Sequence, residues 1–243
     1  MSNNSKYVLE MKTVQIAPVR TLMTALKDIL LETNIIFNQE YTDSSGKVIP
    51  AGIRVINMDK SHTILAHLFL DALKFEHFYC KYPKIAIGVN MLHLFKLINT
   101  IDNDDTLTIY IEEKDYSDGI VEYLGLKFEN GDIKQSKIQK LKLIEPDEEE
   151  LDMPSVKFSS IINLPSTDFQ KIIRDLSNIS ERLEIKSVGS ELIFKCVGPF
   201  AKCEIRRSES GGIMEFTQKQ DDSMVIQGEF SLKNLGYFIK CTN

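Results

Sequence analysis

No apolar run in this chain reaches the roughly 18 residues needed to span a bilayer, and Met1 to Lys12 is too polar for a secretory leader. The expectation is a soluble, intracellular protein with no membrane attachment. Cysteine is scarce. Cys80, Cys196, Cys203 and Cys241 show no C-x-x-C spacing, so neither a zinc knuckle nor a thioredoxin-type redox pair is written here. Reduced, mostly buried thiols are the plain reading. Also missing are a phosphate-cradling G-x-x-x-x-G-K-[ST] loop and any gathering of carboxylates on adjacent strand ends. Aromatic and basic residues do not interleave as they do in grooves that stack single strands.

The net charge of −6, taken alone, argues against a polyanionic partner. Its location removes that objection. Glu145, Asp147, Glu148, Glu149, Glu150 and Asp152 place six acids within residues 145–152, which leaves the rest of the chain neutral. A block of like charge repels itself and reads as a solvated linker. The placement of the basic residues must therefore decide what the chain binds.

What is present is repetition, which decides fold before any local feature. Val19, Leu22, Met23, Leu26 and Ile29 recur 150 positions later as Phe169, Ile172, Ile173, Leu176 and Ile179. Val89, Met91, Leu94, Leu97 and Ile98 recur 141 positions later as Phe230, Leu232, Leu235, Phe238 and Ile239. The spacing predicts four short amphipathic helices, near 18–32, 90–100, 167–179 and from 231, with Pro165-Ser166 capping the third. Between them lie β-rich stretches, including 7–16, 53–56, 62–70, 106–112, 119–128, 135–144, 156–164, 182–186, 191–197 and 202–207. The fold class is α+β, in two similar halves: 1–144, an acidic connector 145–154, and 155–243. By its own pattern the second half lacks its last strands. About 45 residues and three strands follow the second helix, whereas the sequence ends directly after the fourth.

The pieces Ala25-Leu26-Lys27-Asp28, Asn57-Met58-Asp59-Lys60-Ser61-His62, Ile87-Gly88-Val89-Asn90 and Leu164-Pro165-Ser166-Thr167-Asp168-Phe169-Gln170-Lys171-Ile172-Ile173-Arg174-Asp175-Leu176-Ser177 occur in this order. Together they resemble the proliferating cell nuclear antigen family of DNA sliding clamps, in the style of clamps encoded by large DNA viruses. The likeness runs from about residue 7 to 243, with insertions around 38–52 and 115–135. It implies the DNA clamp fold and a homotrimeric ring around double-stranded DNA, helices lining the hole and sheets outside. It implies no enzymatic activity, catalytic residue, cofactor or metal. The partners it implies are a DNA polymerase, other proteins carrying short clamp-binding peptides, and a clamp loader. The place of action would be the nucleus, or a cytoplasmic replication site for a viral protein. The alternative is a truncated or diverged clamp-like subunit that binds partner peptides without closing a ring.

Three sets of residues carry this reading. Arg20 and Lys27, Lys96, Lys171 and Arg174, and Lys233 and Lys240 lie on the helices away from the apolar faces, and are expected to face DNA. Each alone could be an ordinary solvated surface residue. By resemblance, Met58, His62, Leu65, Met153, Pro154 and Phe158 wall an apolar pocket for partner peptides, with Thr63 where the family prefers an apolar side chain. Read instead as a metal or acid–base set, Asp59, His62 and His67 fare poorly, since two residues five apart in a strand point to opposite faces. Also by resemblance, a subunit interface joins strand 134–142, with Ile138, Gln139 and Leu141, to strand 202–207, with Cys203 and Ile205. Gln139 stands where family members often carry an aromatic. Core alternation explains Ile138 and Leu141 equally well.

Overall fold

The computed structural model describes residues 6–42, 46–147, 151, 153, 156–210, 213–218 and 224–240. The chain divides into two compact units, residues 1–153 and 154–243. In the first unit the order is β1 (Tyr7–Thr13), α1 (Ile16–Ile29), β2 (Glu32–Asn38), β3 (Gly52–Met58), β4 (Leu65–Asp71), β5 (His77–Cys80), β6 (Lys84–Asn90), α2 (Met91–Ile98), β7 (Thr106–Glu112), β8 (Tyr123–Asn130) and β9 (Gln135–Lys142). In the second it is β10 (Ile161–Asn163), α3 (Ser166–Ser177), β11 (Arg182–Val188), β12 (Glu191–Val197), β13 (Lys202–Ser208), β14 (Glu215–Gln218), β15 (Val225–Ser231) and α4 (Leu232–Ile239).

The duplication seen in the helix faces extends to the sheets. The first unit has a four-stranded sheet in the order β4-β3-β2-β6, and the second has β13-β12-β11-β15, the same path through corresponding strands. A second sheet of the first unit runs β9-β8-β7-β1-β5. Its counterpart among the described residues of the second unit is the pair β10-β14, matching β1-β5 alone. The stretches 38–52 and 115–135 hold small ladders, Tyr41–Thr42 with Val48–Ile49 and Tyr116–Ser117 with Ile120–Val121, and the second also holds β8 of the five-stranded sheet.

Helices pack in pairs within each unit, α1 with α2 and α3 with α4. α1 buries Ile16, Met23, Ala25 and Leu26; α3 buries Ile172, Ile173 and Leu176. Each large apolar side chain removed from water contributes about 1.5–3 kcal/mol, which is what fixes the helices to their sheets. The start signals repeat too. Asn90 accepts from the His93 backbone N–H at 3.1 Å, and Ser231 accepts from the Asn234 N–H at 3.3 Å, satisfying a free helix-start donor each time. Because these residues cap, Val89 and Phe230 belong to the preceding strands and not to the helix faces.

Two further expectations need correction. The strand expected over 156–164 is short, only Ile161–Asn163. Ser166 is the first residue of α3, so it does not cap it; the carbonyl of Pro165 instead accepts from the N–H groups of Asp168 and Phe169, both at 3.1 Å. Gly88 answers a packing demand. A Cβ there would lie 2.6 Å from the carbonyl oxygens of Ile144 and Glu145, so glycine lets the chain after β9 cross β6. Asn34 holds that crossing, donating to the Asp147 carbonyl at 2.7 Å and accepting its N–H at 2.9 Å.

Candidate functional site

The seven helix cations fall into two groups. Arg20 and Lys27 share one side of α1, as their spacing predicts, but both are half-buried. The Arg20 guanidinium donates to the carbonyl of Ile101 and, at 3.0 Å, to Asn103 Oδ1, both in the turn after α2. Its Nε is buried with no partner among the described residues. Lys27 Nζ lies 2.7 Å from Asp28 Oδ1 and 4.8 Å above the ring of Phe95 on α2. These two cations therefore join α1 to α2. Sequence spacing could place them opposite the apolar face but could not show that a second helix occupies part of that side.

Lys96, Lys171, Arg174, Lys233 and Lys240 are exposed. Arg174 is braced by its own helix, donating from Nη2 to Gln170 Oε1 at 2.8 Å and from Nε to the Gln170 carbonyl at 3.2 Å. Lys240 lies 5.6 Å from the ring centre of Tyr237, one turn earlier. The exposed group is suited to unspecific contact with phosphate: full positive charges on long side chains, held on rigid helices.

The segment after β3 is a turn built by one carboxylate, and the strand expected from His62 starts only at Leu65. Asp59 Oδ1 accepts from the N–H groups of Thr63 at 2.8 Å and Ile64 at 2.7 Å, while Oδ2 accepts from the Ser61 N–H at 3.2 Å and from its hydroxyl. The Ser61 hydroxyl, then the Ile64 N–H, hold this carboxyl well below the usual carboxylate range. His62 takes a left-handed φ of 53°, closing the turn with its N–H on the Asp59 carbonyl at 2.9 Å. The signal missed was Asp followed by Ser and Thr two and four residues on, a side-chain turn in place of a strand. Its consequence is that His62 stands in the turn and His67 on β4. Among the described residues, no three of His, Cys, Asp and Glu gather as a metal-ligand set.

Met58 at the end of β3 is 37% exposed, and Leu65 at the start of β4 is half-buried. Met153 is exposed, as is Phe158 of the second unit; Pro154 lies outside the described residues. For the expected interface strands, β9 is the outermost strand of its sheet and β13 is the outermost strand of its own. Ile138 points outward, 61% exposed, while Leu141 is buried in the core of the first unit. Cys203 and Ile205 pack against the core of the second. Gln139 Oε1 is buried without a partner among the described residues.

A charge cluster that the sequence did not reveal anchors β9. The buried Glu112 at the end of β7 contacts Lys140 at 2.6 Å, Lys6 at 2.9 Å and Lys114 at 3.0 Å, and Lys140 also contacts Asp115 at 2.6 Å. Hydrogen bonds from Lys140, then Lys6 and Lys114, draw the Glu112 carboxyl down to about 2. The bonds to Asp115 first, then to Glu112, raise the Lys140 ammonium.

The family model for the proliferating cell nuclear antigen N-terminal domain matches residues 8–150, and that for its C-terminal domain matches residues 152–243. The chain is 30% identical over 246 residues to the probable DNA polymerase sliding clamp 1 of Paramecium bursaria Chlorella virus 1, covering 99% of this chain and 86% of that protein. It is 29% identical over 265 residues to the probable DNA polymerase sliding clamp of Acanthamoeba polyphaga mimivirus, covering 99% of this chain. The chain spans 56% of the length of that second relative.

Proposed function

The chain belongs to the proliferating cell nuclear antigen family, and from that premise we propose that it is a DNA polymerase processivity factor, a sliding clamp that carries no catalysis of its own. The observation that carries the reading is the duplicated unit. Two copies of one strand path each bear a pair of helices, with exposed cations at Lys96 on one pair and at Lys171, Arg174, Lys233 and Lys240 on the other. In this reading three copies close a ring by pairing the outer strand β9 of one with β13 of the next, a head-to-tail contact that closes if the rotation is right. Duplex DNA passes through, held by weak phosphate contacts that exchange easily, so retention comes from topology and not from affinity.

Partners dock by short peptides at the end of β3 and the start of β4, near Met58, His62 and Leu65, where a few apolar anchors supply most of the binding energy. The carboxylate of Asp59 supports this by fixing the turn that presents His62. The acidic stretch 145–152 attracts basic residues flanking such peptides. A polymerase, other replication and repair proteins and a clamp loader are the partners this reading requires.

The test is mass in solution together with retention on DNA. A species near three times 27.8 kDa that threads onto linear duplex, stays when both ends are then blocked and runs off when they are free is expected. A persistent monomer, or equal loss from blocked and free-ended duplex, would overturn it.

A further inference from the structure

The two outer strands assigned to the ring contact carry the same sign of charge. β9 contains Lys137, Lys140 and Lys142 and no acid; β13 contains Lys202, Arg206 and Arg207 against Glu204 alone. This is unexpected in a chain whose net charge is −6.

Two of these cations are compensated by acids of their own unit. Lys140 is held by Glu112 and Asp115, both at 2.6 Å. Arg206 is held by Glu204 at 2.8 Å and Glu191 at 3.5 Å. Lys137 donates to the Thr100 hydroxyl at 2.8 Å and lies 5.6 Å from the ring centre of Phe128, neither of which carries a negative charge. Among the described residues, Lys137, Lys142, Lys202 and Arg207 make no ion pair.

Side chains alternate along a strand, so the buried Leu141 puts Lys137 on the core side of β9 and Lys142 on the opposite side with Lys140. By the same rule Arg207 shares the core side of β13 with Cys203 and Ile205, and Lys202 lies opposite with Arg206. Each side of a β9–β13 contact thus brings lysine and arginine together. Paired strands lie about 4.8 Å apart, well inside the screening distance of about 10 Å at 0.1 M salt.

Resting on the ring contact proposed above, we infer that closure between copies is opposed by like charge at the β9–β13 seam and is promoted by salt. This runs opposite to the DNA contacts, which salt weakens. Low ionic strength grips the duplex and loosens the seam; high ionic strength does the reverse. The seam is then the place where a ring opens at little cost to the fold.

Sedimentation equilibrium of the full chain at several NaCl concentrations tests this. The association constant should rise at least about tenfold between about 50 mM and about 500 mM NaCl, where the screening length shrinks to a few ångströms. Lys142→Glu should associate more tightly than the parent at low salt and lose that rise. The variant makes each chain more acidic overall, so general repulsion between chains predicts the opposite change. Association that is flat or falls with salt, or a Lys142→Glu variant no tighter than the parent, would overturn the inference. Ile138→Asn locates the contact, because that side chain is 61% exposed and contributes little to the core. If Ile138→Asn separates the copies while salt has no effect on the parent, the electrostatic inference alone falls. If Ile138→Asn leaves association untouched, the seam itself is misplaced and both readings fall.

Discussion

Replacing Arg20 and replacing Lys171 should have opposite signatures, although both are cations on corresponding helices. Arg20 makes two hydrogen bonds from a charged donor to the turn after α2, one at 3.0 Å to Asn103 and one to the Ile101 carbonyl. Bonds of this kind contribute about 1.5–3 kcal/mol each, and removing the donor leaves a half-buried carbonyl poorly solvated. Against that, Arg20→Ala also removes a buried Nε that has no partner among the described residues, which returns about 1 kcal/mol or more. The net destabilisation is therefore about 2–5 kcal/mol, or a fall in Tm of at least about 4 °C at this chain length. Lys171 is exposed, so Lys171→Ala should hold stability to within about 0.5 kcal/mol. It should instead lower the slope of log K for duplex DNA against log salt by about 0.9 for each phosphate that the lysine no longer neutralises. Calorimetric melting and a salt series of DNA binding measure the two quantities on the same samples. If Arg20→Ala melts with the parent and lowers the salt slope as Lys171→Ala does, the assignment of Arg20 to the helix–helix joint is wrong.

Glu112→Gln should destabilise the chain by about 1–3 kcal/mol near neutral pH, since it breaks a buried charge cluster from one side. The folded-state pKa of about 2 lies below the ordinary 4.5. This stabilisation is therefore complete above about pH 4.5 and is lost as pH falls toward 2, so urea titrations should show parent and variant converging across that window. Gly198→Ala should cost about 2 kcal/mol or more, because the new Cβ would sit 1.7 Å from the Ile179 carbonyl oxygen and force the β12–β13 turn away from the end of α3. Hydrogen exchange confined to α3, β12 and β13 would locate that change, and unaltered protection there would refute it.

Much of the architecture was legible in the residues because burial leaves a periodic mark. The recurrence of Met23, Leu26 and Ile29 as Ile173, Leu176 and Ile179 predicted paired helices, and the matching strand paths followed. Helix starts were readable less well. Asn90 and Ser231 cap as such residues should, but Ser166 does not, since Pro165 ahead of it supplies a backbone acceptor. The turn at Asp59 was hidden because its apolar neighbours Met58, Ile64 and Ala66 keep a strand-like rhythm on both sides of it. Arg20 and Lys27 show the limit of helical spacing, which orders residues around one helix without saying what lies beside it.

Composition and periodicity by themselves determined the α+β class, the twofold repetition, the acidic run at 145–152 and the presence of basic residues on the helices away from their apolar faces. Each of those depends on near neighbours in the chain or on a period that one element imposes. Tertiary structure alone decided which cations stay exposed and which are consumed in joining α1 to α2. It alone brought Glu112 to Lys6, Lys114 and Lys140, and it alone made β9 and β13 the outer strands of their sheets. Those outcomes depend on contacts between residues far apart in sequence, whose charges interact only once the chain has closed the distance between them.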